Sequence, residues 1–195
     1  MKVNWITQIA LVALLTMLSV GIASAQGRRS SEKDYSFKAR EIESGKMLEF
    51  DELILDKPLI LHVWAPDCPH CQRHMPYLSN LYKKLDLEKV NFVTYSVTGN
   101  SSDAQKFLQK RNLEFQTVCL SNGSFSKDLK DGGWPNTLVI GLDGKLVGSC
   151  DINGPSYVDT MVKLVEKAEA QYDERRRDEE AAEADGDEHV SWFED

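Results

Sequence analysis

The chain has 195 residues, 42% of them hydrophobic, with 12 Gly, 6 Pro and 4 Cys. That length suits one domain with appendages, and the composition excludes a collagen-like or wholly disordered chain and a disulfide-built miniprotein. A formal net charge of −8 argues against general nucleic-acid affinity, which needs a basic face.

Residues 1–25 begin with Lys2, continue in an apolar run from Ile9 to Val20 and end in Ala23-Ser24-Ala25, the small-residue pattern of a signal-peptidase site. They predict a secretory signal cleaved before Gln26. The alternative is an uncleaved anchor, since Ile6–Ala23 is just long enough to span a bilayer. Either delivers the body to an oxidising, periplasmic or otherwise extracytoplasmic compartment. Residues 26–34, with Arg28-Arg29-Ser30-Ser31, read as a polar linker.

Phe37–Ile42 and Met47–Phe50 form a predicted hairpin around Ser44-Gly45. Pro58–Trp64 is a near-continuous apolar run, the pattern of a strand buried on both faces. Met75, Leu78, Tyr82 and Leu85 recur at helical spacing, and Val90–Val97 is a second buried strand. Ser101-Ser102-Asp103 offers an N-cap for a helix to Lys110. Phe115–Leu120 is read as a strand and Ser124–Leu129 as a short helix. Thr137–Ile140 and Lys145–Cys150 pair across Asp143-Gly144. The last helix starts at Ser156 with an apolar face of Val158, Met161, Val162, Val165 and Ala168. Near Ala170 it is expected to fray into an acidic disordered tail, 171–195, interrupted by Val190, Trp192 and Phe193. Asp178–Asp195 alone holds nine acidic and no basic side chains, which leaves the body close to neutral. Strands alternating with helices predict one α/β domain over 35–170, with helices on both faces of a sheet.

The strongest chemical signal is Trp64-Ala65-Pro66-Asp67-Cys68-Pro69-His70-Cys71, a C-x-x-C where a buried strand meets a helix. The first Cys then lies at a helix N-terminus, whose unpaired amides and dipole favour a thiolate. The second lies one turn on, within reach of a mixed disulfide formed by the first. Cys68 is thus the attacking thiol and Cys71 the resolving one. Pro69 suits the first helical position, and His70 can add positive charge beside Cys68. A zinc site would need about four ligands, and Cys68, Cys71 and His74 supply three. Haem attachment needs a His where Gln72 stands. A structural disulfide closing so short a loop would stabilise little.

LHVWAPDCPHCQRHMPYL, followed some sixty residues later by GGWPNTLVI, resembles the thioredoxin superfamily, in particular its secreted TlpA/ResA-type disulfide reductases. The resemblance covers about Tyr35–Ala170. It implies a thioredoxin fold, a central mixed five-stranded sheet flanked by helices, with an N-terminal hairpin. It also implies that Pro135 is a cis-proline facing the dithiol and that Trp134 before it offers backbone groups to a substrate peptide. His62, two before Trp64, stands where the family often has a buried Asp or Asn. There it is either a proton shuttle for Cys71 or a structural His. Asp67 replaces an aromatic and His74 a frequent Glu, while CPHC is a DsbA-like dipeptide on a reductase-like scaffold. The direction of electron flow therefore stays open.

Motif and resemblance together point to a periplasmic thiol–disulfide oxidoreductase. It would act on secreted protein thiols and disulfides, work with a membrane electron donor or acceptor, and be monomeric, with no cofactor and no nucleic acid. The alternatives are a specialised reductase for cytochrome c maturation and a thioredoxin-like copper chaperone using Cys68, Cys71 and a His. The family's strand order puts Cys119 and Cys150 four inter-strand steps apart, roughly 19 Å at about 4.8 Å per step. A disulfide needs Cα atoms within about 7 Å. The two are therefore expected to be unbonded, Cys119 as a buried hydrophobe and Cys150 as the exposed thiol of an edge strand.

Overall fold

The structure is a computed structural model that describes residues 33–151 and 154–190, with side chains described to residue 182. The expected signal segment, most of the linker, and Trp192 and Phe193 lie outside the described residues. Seven strands form one mixed sheet: β1 (Phe37–Glu41), β2 (Met47–Glu49), β3 (Leu59–Trp64), β4 (Asn91–Ser96), β5 (Thr117–Phe125), β6 (Asn136–Ile140) and β7 (Leu146–Cys150). Their order is β2-β1-β5-β4-β3-β6-β7. The helices are α1 (Phe50–Leu53), α2 (Pro69–Tyr82), α3 (Ser101–Lys110), α4 (Lys127–Asp131) and α5 (Ser156–Val190).

The central order is the thioredoxin-like one, with β3 parallel to β4, β4 parallel to β5, and β6 and β7 antiparallel beyond β3. Every residue of β3 is buried, as its unbroken apolar run requires of a central strand covered on both faces. The N-terminal hairpin is not a separate appendage. It extends the expected five strands to seven, because β1 pairs antiparallel with β5. At their crossing a Cβ on Gly123 would sit 2.3 Å from the Lys38 carbonyl oxygen, so only glycine lets β1 lie that close.

That pairing corrects the expected helix at Ser124–Leu129. Residues 121–124 are polar and turn-like, yet they continue β5, and Phe125 stacks on Phe37 at 5.8 Å and on Tyr95 at 4.2 Å. The helix begins only at Lys127, capped by the Ser126 hydroxyl. Likewise Phe50 opens α1 rather than closing a strand. Asn100, not the serines after it, caps α3 by accepting from Ser102 N at 3.0 Å.

Two apolar clusters lie on either side of the sheet. One takes Ile60 and Trp64 from β3 with the buried residues of α2, α3 and the first part of α5. The other takes Leu59, Leu61 and Val63 with Phe50 of α1 and Leu129 of α4. Helices do cover both faces, but the three long ones share the first cluster, and that cluster holds the dithiol.

Where the sequence suggests fraying near Ala170, α5 is helical to Val190. Its second half is rich in helix-forming Glu, Arg and Ala, joined by the i,i+4 pairs Arg175–Glu179 and Arg176–Glu180. It is tied to the body by Lys89–Asp173 at 2.9 Å and by the Arg175 guanidinium donating to the Leu55 carbonyl. Among the described residues no helix is long and apolar enough to cross a membrane.

Candidate active site

Strand β3 delivers the chain to the dithiol. After Trp64 the backbone leaves the sheet, and Cys68 becomes the N-cap of α2, with extended backbone geometry. Its sulfur accepts from the Cys71 amide at 3.2 Å, in the place a capping oxygen would take. Pro69 occupies the first turn, where its missing N–H costs nothing. The Gln72 side chain donates to the Pro66 carbonyl at 2.8 Å and closes the loop before the helix. Cys68 is half-buried, Cys71 is fully buried, and both are free thiols. Burial, and hydrogen bonding to the Cys68 sulfur, push the Cys71 thiol up to about 12.

The Trp134–Pro135 peptide is cis. Trp134 is 46% exposed, and with Gly133, Pro135 and Asn136 it lines a surface groove shared with His70 and Asp151. The groove thus joins the start of α2 to the loop before β6. His70 is exposed and receives a hydrogen bond from Arg73 Nη2 to Nδ1 at 3.1 Å, which brings a guanidinium to the mouth of the site. Asp67 is exposed as well. Trp64 forms part of the wall behind the dithiol: fully buried, it packs on Phe107 at 5.1 Å and donates through Nε1 to Thr94 Oγ1 at 3.1 Å.

Below the dithiol lies a group that the sequence does not announce. His62 and His74 are both buried and stack with ring centroids 5.3 Å apart and planes within 6°. His62 Nδ1 lies 2.8 Å from Thr137 Oγ1, which lies 2.7 Å from the Tyr157 hydroxyl. Tyr157 in turn meets the His74 ring edge-on at 4.2 Å. Burial lowers His74 to about 4, and burial with the neighbouring His74 puts His62 well below its ordinary value, so both rings are neutral near pH 7. Desolvation likewise raises the Tyr157 phenol. His74 is therefore a core residue packed between β3 and α5. Among the described residues no group of three or more His, Cys, Asp or Glu is gathered to hold a metal ion.

The other two cysteines are free and lie on β5 and β7, with β4, β3 and β6 between them. Cys119 is buried, with Sγ 2.9 Å from the Thr98 carbonyl. Cys150 corrects the expectation of an exposed edge thiol. It is 4% exposed, because the start of α5 covers the end of β7 and brings Tyr157 into the same core cluster.

Comparison with known proteins agrees with this geometry. Residues 32–149 match the AhpC/TSA family. The chain is 24% identical over 154 residues to the thiol-disulfide oxidoreductase ResA of Bacillus cereus, covering 75% of this chain and 88% of that one. It is 28% identical over 181 residues to the thiol:disulfide interchange protein DsbE of Haemophilus influenzae, covering 83% and 97%. Among solved structures, a thioredoxin-family thiol:disulfide interchange protein from Chlorobium tepidum superposes with a TM-score of 0.55 at 18% identity, covering 71% and 96%. A secreted Mycobacterium tuberculosis disulfide oxidoreductase superposes with a TM-score of 0.51 at 23% identity, covering 67% and 94%. The chain belongs to the AhpC/TSA family and is an oxidoreductase of the thiol–disulfide kind.

Proposed function

We propose that this AhpC/TSA-family chain works outside the cytoplasm, exchanging disulfides with secreted proteins through Cys68 and Cys71. The observation that carries the reading is the asymmetry of the two thiols: one half-exposed at a helix N-terminus beside a groove, the other buried one turn on. In the reducing direction the Cys68 thiolate attacks one sulfur of a substrate disulfide, and the other substrate sulfur leaves as a thiolate. Cys71 then attacks Cys68, the Cys68–substrate bond breaks, the Cys71 proton ends on the departing substrate sulfur, and a Cys68–Cys71 disulfide remains. Two electrons have passed to the substrate, and a membrane electron donor would restore the dithiol. The oxidising direction is the same path reversed. Trp134 and the Pro135 loop would hold an extended substrate segment in the groove, with the Arg73 guanidinium, which donates to His70 Nδ1, placing positive charge near where the Cys68 thiolate forms.

Two measurements test this. Replacing Cys71 by Ser should trap a mixed disulfide on Cys68, and alkylation of the reduced protein at mildly acidic pH should modify Cys68 before Cys71. Preferential labelling of Cys71 would reverse the assigned roles. A redox titration of the pair against glutathione fixes the direction: a midpoint of about −120 mV marks an oxidase, and one of about −270 mV a reductase.

A further inference from the structure

The groove beside the dithiol has a volume of about 350 Å³ and is lined by His70, Gly133, Trp134, Pro135, Asn136 and Asp151. Two of these side chains hold acceptors that no donor answers. Asp151 is exposed and makes no ion pair among the described residues. Asn136 Oδ1 is buried with no hydrogen-bond partner among them, and such orphans call for an explanation. The two residues are neighbours. Thr137 pairs with Cys150 across β6 and β7, which sets Asn136 opposite Asp151 one position further on. Trp134, at 46% exposed, adds an indole open to solvent. Positive charge enters from the other side, where Arg73 of α2 donates to His70.

We infer that the groove selects substrate cysteines with a lysine or arginine close by in sequence, and that Asp151 sets this preference. The inference rests on the exchange reading of the groove and names the class of substrate it takes. An ammonium or a guanidinium carries donors and no acceptor. Donors are what an unpaired carboxylate and an orphan carbonyl oxygen both lack. The aliphatic stem of such a side chain can lie on Trp134, and its charge is attracted to the face of an indole. An acidic side chain in the same place would meet Asp151 with like charge. Strand spacing fixes how far the cation lies from the reactive sulfur. Val63 of β3 pairs with Asn136, so Asp151 is two inter-strand steps from the strand that leads to Cys68. At about 4.8 Å per step that is roughly 10 Å, which an extended segment spans in about three residues. The groove is thus polarised, with Arg73 serving the thiolate at one end and Asp151 receiving a cation at the other.

The probe is a short synthetic peptide whose one cysteine is held as a mixed disulfide with thionitrobenzoate. Versions differ only in carrying Lys, Gln or Glu at the second position on either side of that cysteine. In the reduced full chain the Cys68 thiolate attacks the peptide sulfur, the S–S bond breaks, and coloured thionitrobenzoate leaves as the thiolate. At low salt the Lys peptide should react about tenfold faster than the Glu peptide, with Gln between them. Asp151→Asn should shrink that ratio to about twofold, and Asp151→Lys should reverse the order. Comparing the same peptides across variants cancels their own reactivity. Asp56→Asn removes another exposed carboxylate, ahead of β3 and so at its opposite end from the dithiol, and should leave the ratio at its wild-type value. Equal rates for the peptides, or a ratio that Asp151→Asn leaves unchanged, would overturn the inference while exchange itself stands. A ratio that Asp56→Asn shrinks as much would assign the preference to net charge and overturn it as well. Reaction with none of the peptides would remove the exchange reading, and this inference with it.

Discussion

Two hydroxyl relays flank the strand that carries the dithiol, one toward β4 and one toward β6. On the β4 side Trp64 donates to Thr94, Thr94 meets Thr117 at 2.8 Å, and Thr117 donates to the Phe115 carbonyl at 2.8 Å. Every proton in that chain has an acceptor, and it ends on main chain. On the β6 side Tyr157 and Thr137 make contacts of the same length, but their relay ends on the His62 imidazole and leaves a ring nitrogen unmatched. Residue types and burial are nearly the same. What differs is the last group. A relay closed on a carbonyl satisfies every group it joins, whereas the one that ends on the imidazole leaves a buried polar atom unmatched.

The largest expected effect separates the two sides by pH. His74 titrates near 4 in the folded chain because burial penalises its charged form, against an ordinary value of 6.5. Between those values the unfolded chain binds the proton and the folded one does not, so stability falls as pH drops from about 6.5 to about 4. For His74 the loss is about 3 kcal/mol, and His62 shifts in the same direction. Carboxylates also titrate at the acid end, so the readout is a difference. Denaturant midpoints at pH 7 and pH 4 should differ more for the wild type than for His74→Gln. Equal differences would mean that the His pair is not buried as a neutral unit. The closed relay contains no titratable side chain and contributes nothing to this window.

Next in size is a cut in the closed relay. Thr94→Val strands the Trp64 indole N–H and removes the partner of Thr117, and should cost about 2 kcal/mol of stability. Its redox midpoint against glutathione and its resolution rate should stay at the wild-type values. A shift in either would show that the closed relay reaches the dithiol and does more than hold strands together.

The two relays also differ in how far the sequence makes their surroundings legible. The dithiol is spelled out in eight contiguous residues, Trp64 to Cys71, and the unbroken apolar run before it announces a central strand. Each needs only local chemistry. The histidine cluster joins residues 62, 74, 137 and 157, from two strands and two helices, and no spacing rule links them. His62 and His74 are visible as departures from a family pattern, but Thr137 and Tyr157 look like an ordinary strand residue and an ordinary helix start. The Ser124–Leu129 helix fails for a similar reason. Ser121-Asn122-Gly123-Ser124 has turn chemistry, and only pairing with β1 keeps it extended. Cys150 reads as exposed because an edge strand has one open side, yet α5 lies across its face.

The smallest expected effect concerns the far half of α5, where low apolar content suggests disorder and the structure has helix. Lys89–Asp173 and the Arg175–Leu55 hydrogen bond, which tie this helix to the body, both lie before residue 178. Among the described side chains, removing Asp178–Asp195 takes away the acidic partners of Arg175 and Arg176. Those pairs are partly exposed and solvent-screened, and an i,i+4 ion pair on a helix surface is worth about 0.3–0.5 kcal/mol. Truncation after Arg177 should therefore cost under about 1 kcal/mol, a fall in Tm of at most about 4 °C for a chain of this size. The redox midpoint should not move, because neither relay lies beyond Tyr157. A larger fall in Tm would show that residues past 178 bind the body. A changed midpoint with an unchanged Tm would mean that the acidic end acts on the dithiol through its charge, and it should then vanish in high salt, which screens such action beyond about 3 Å at 1 M.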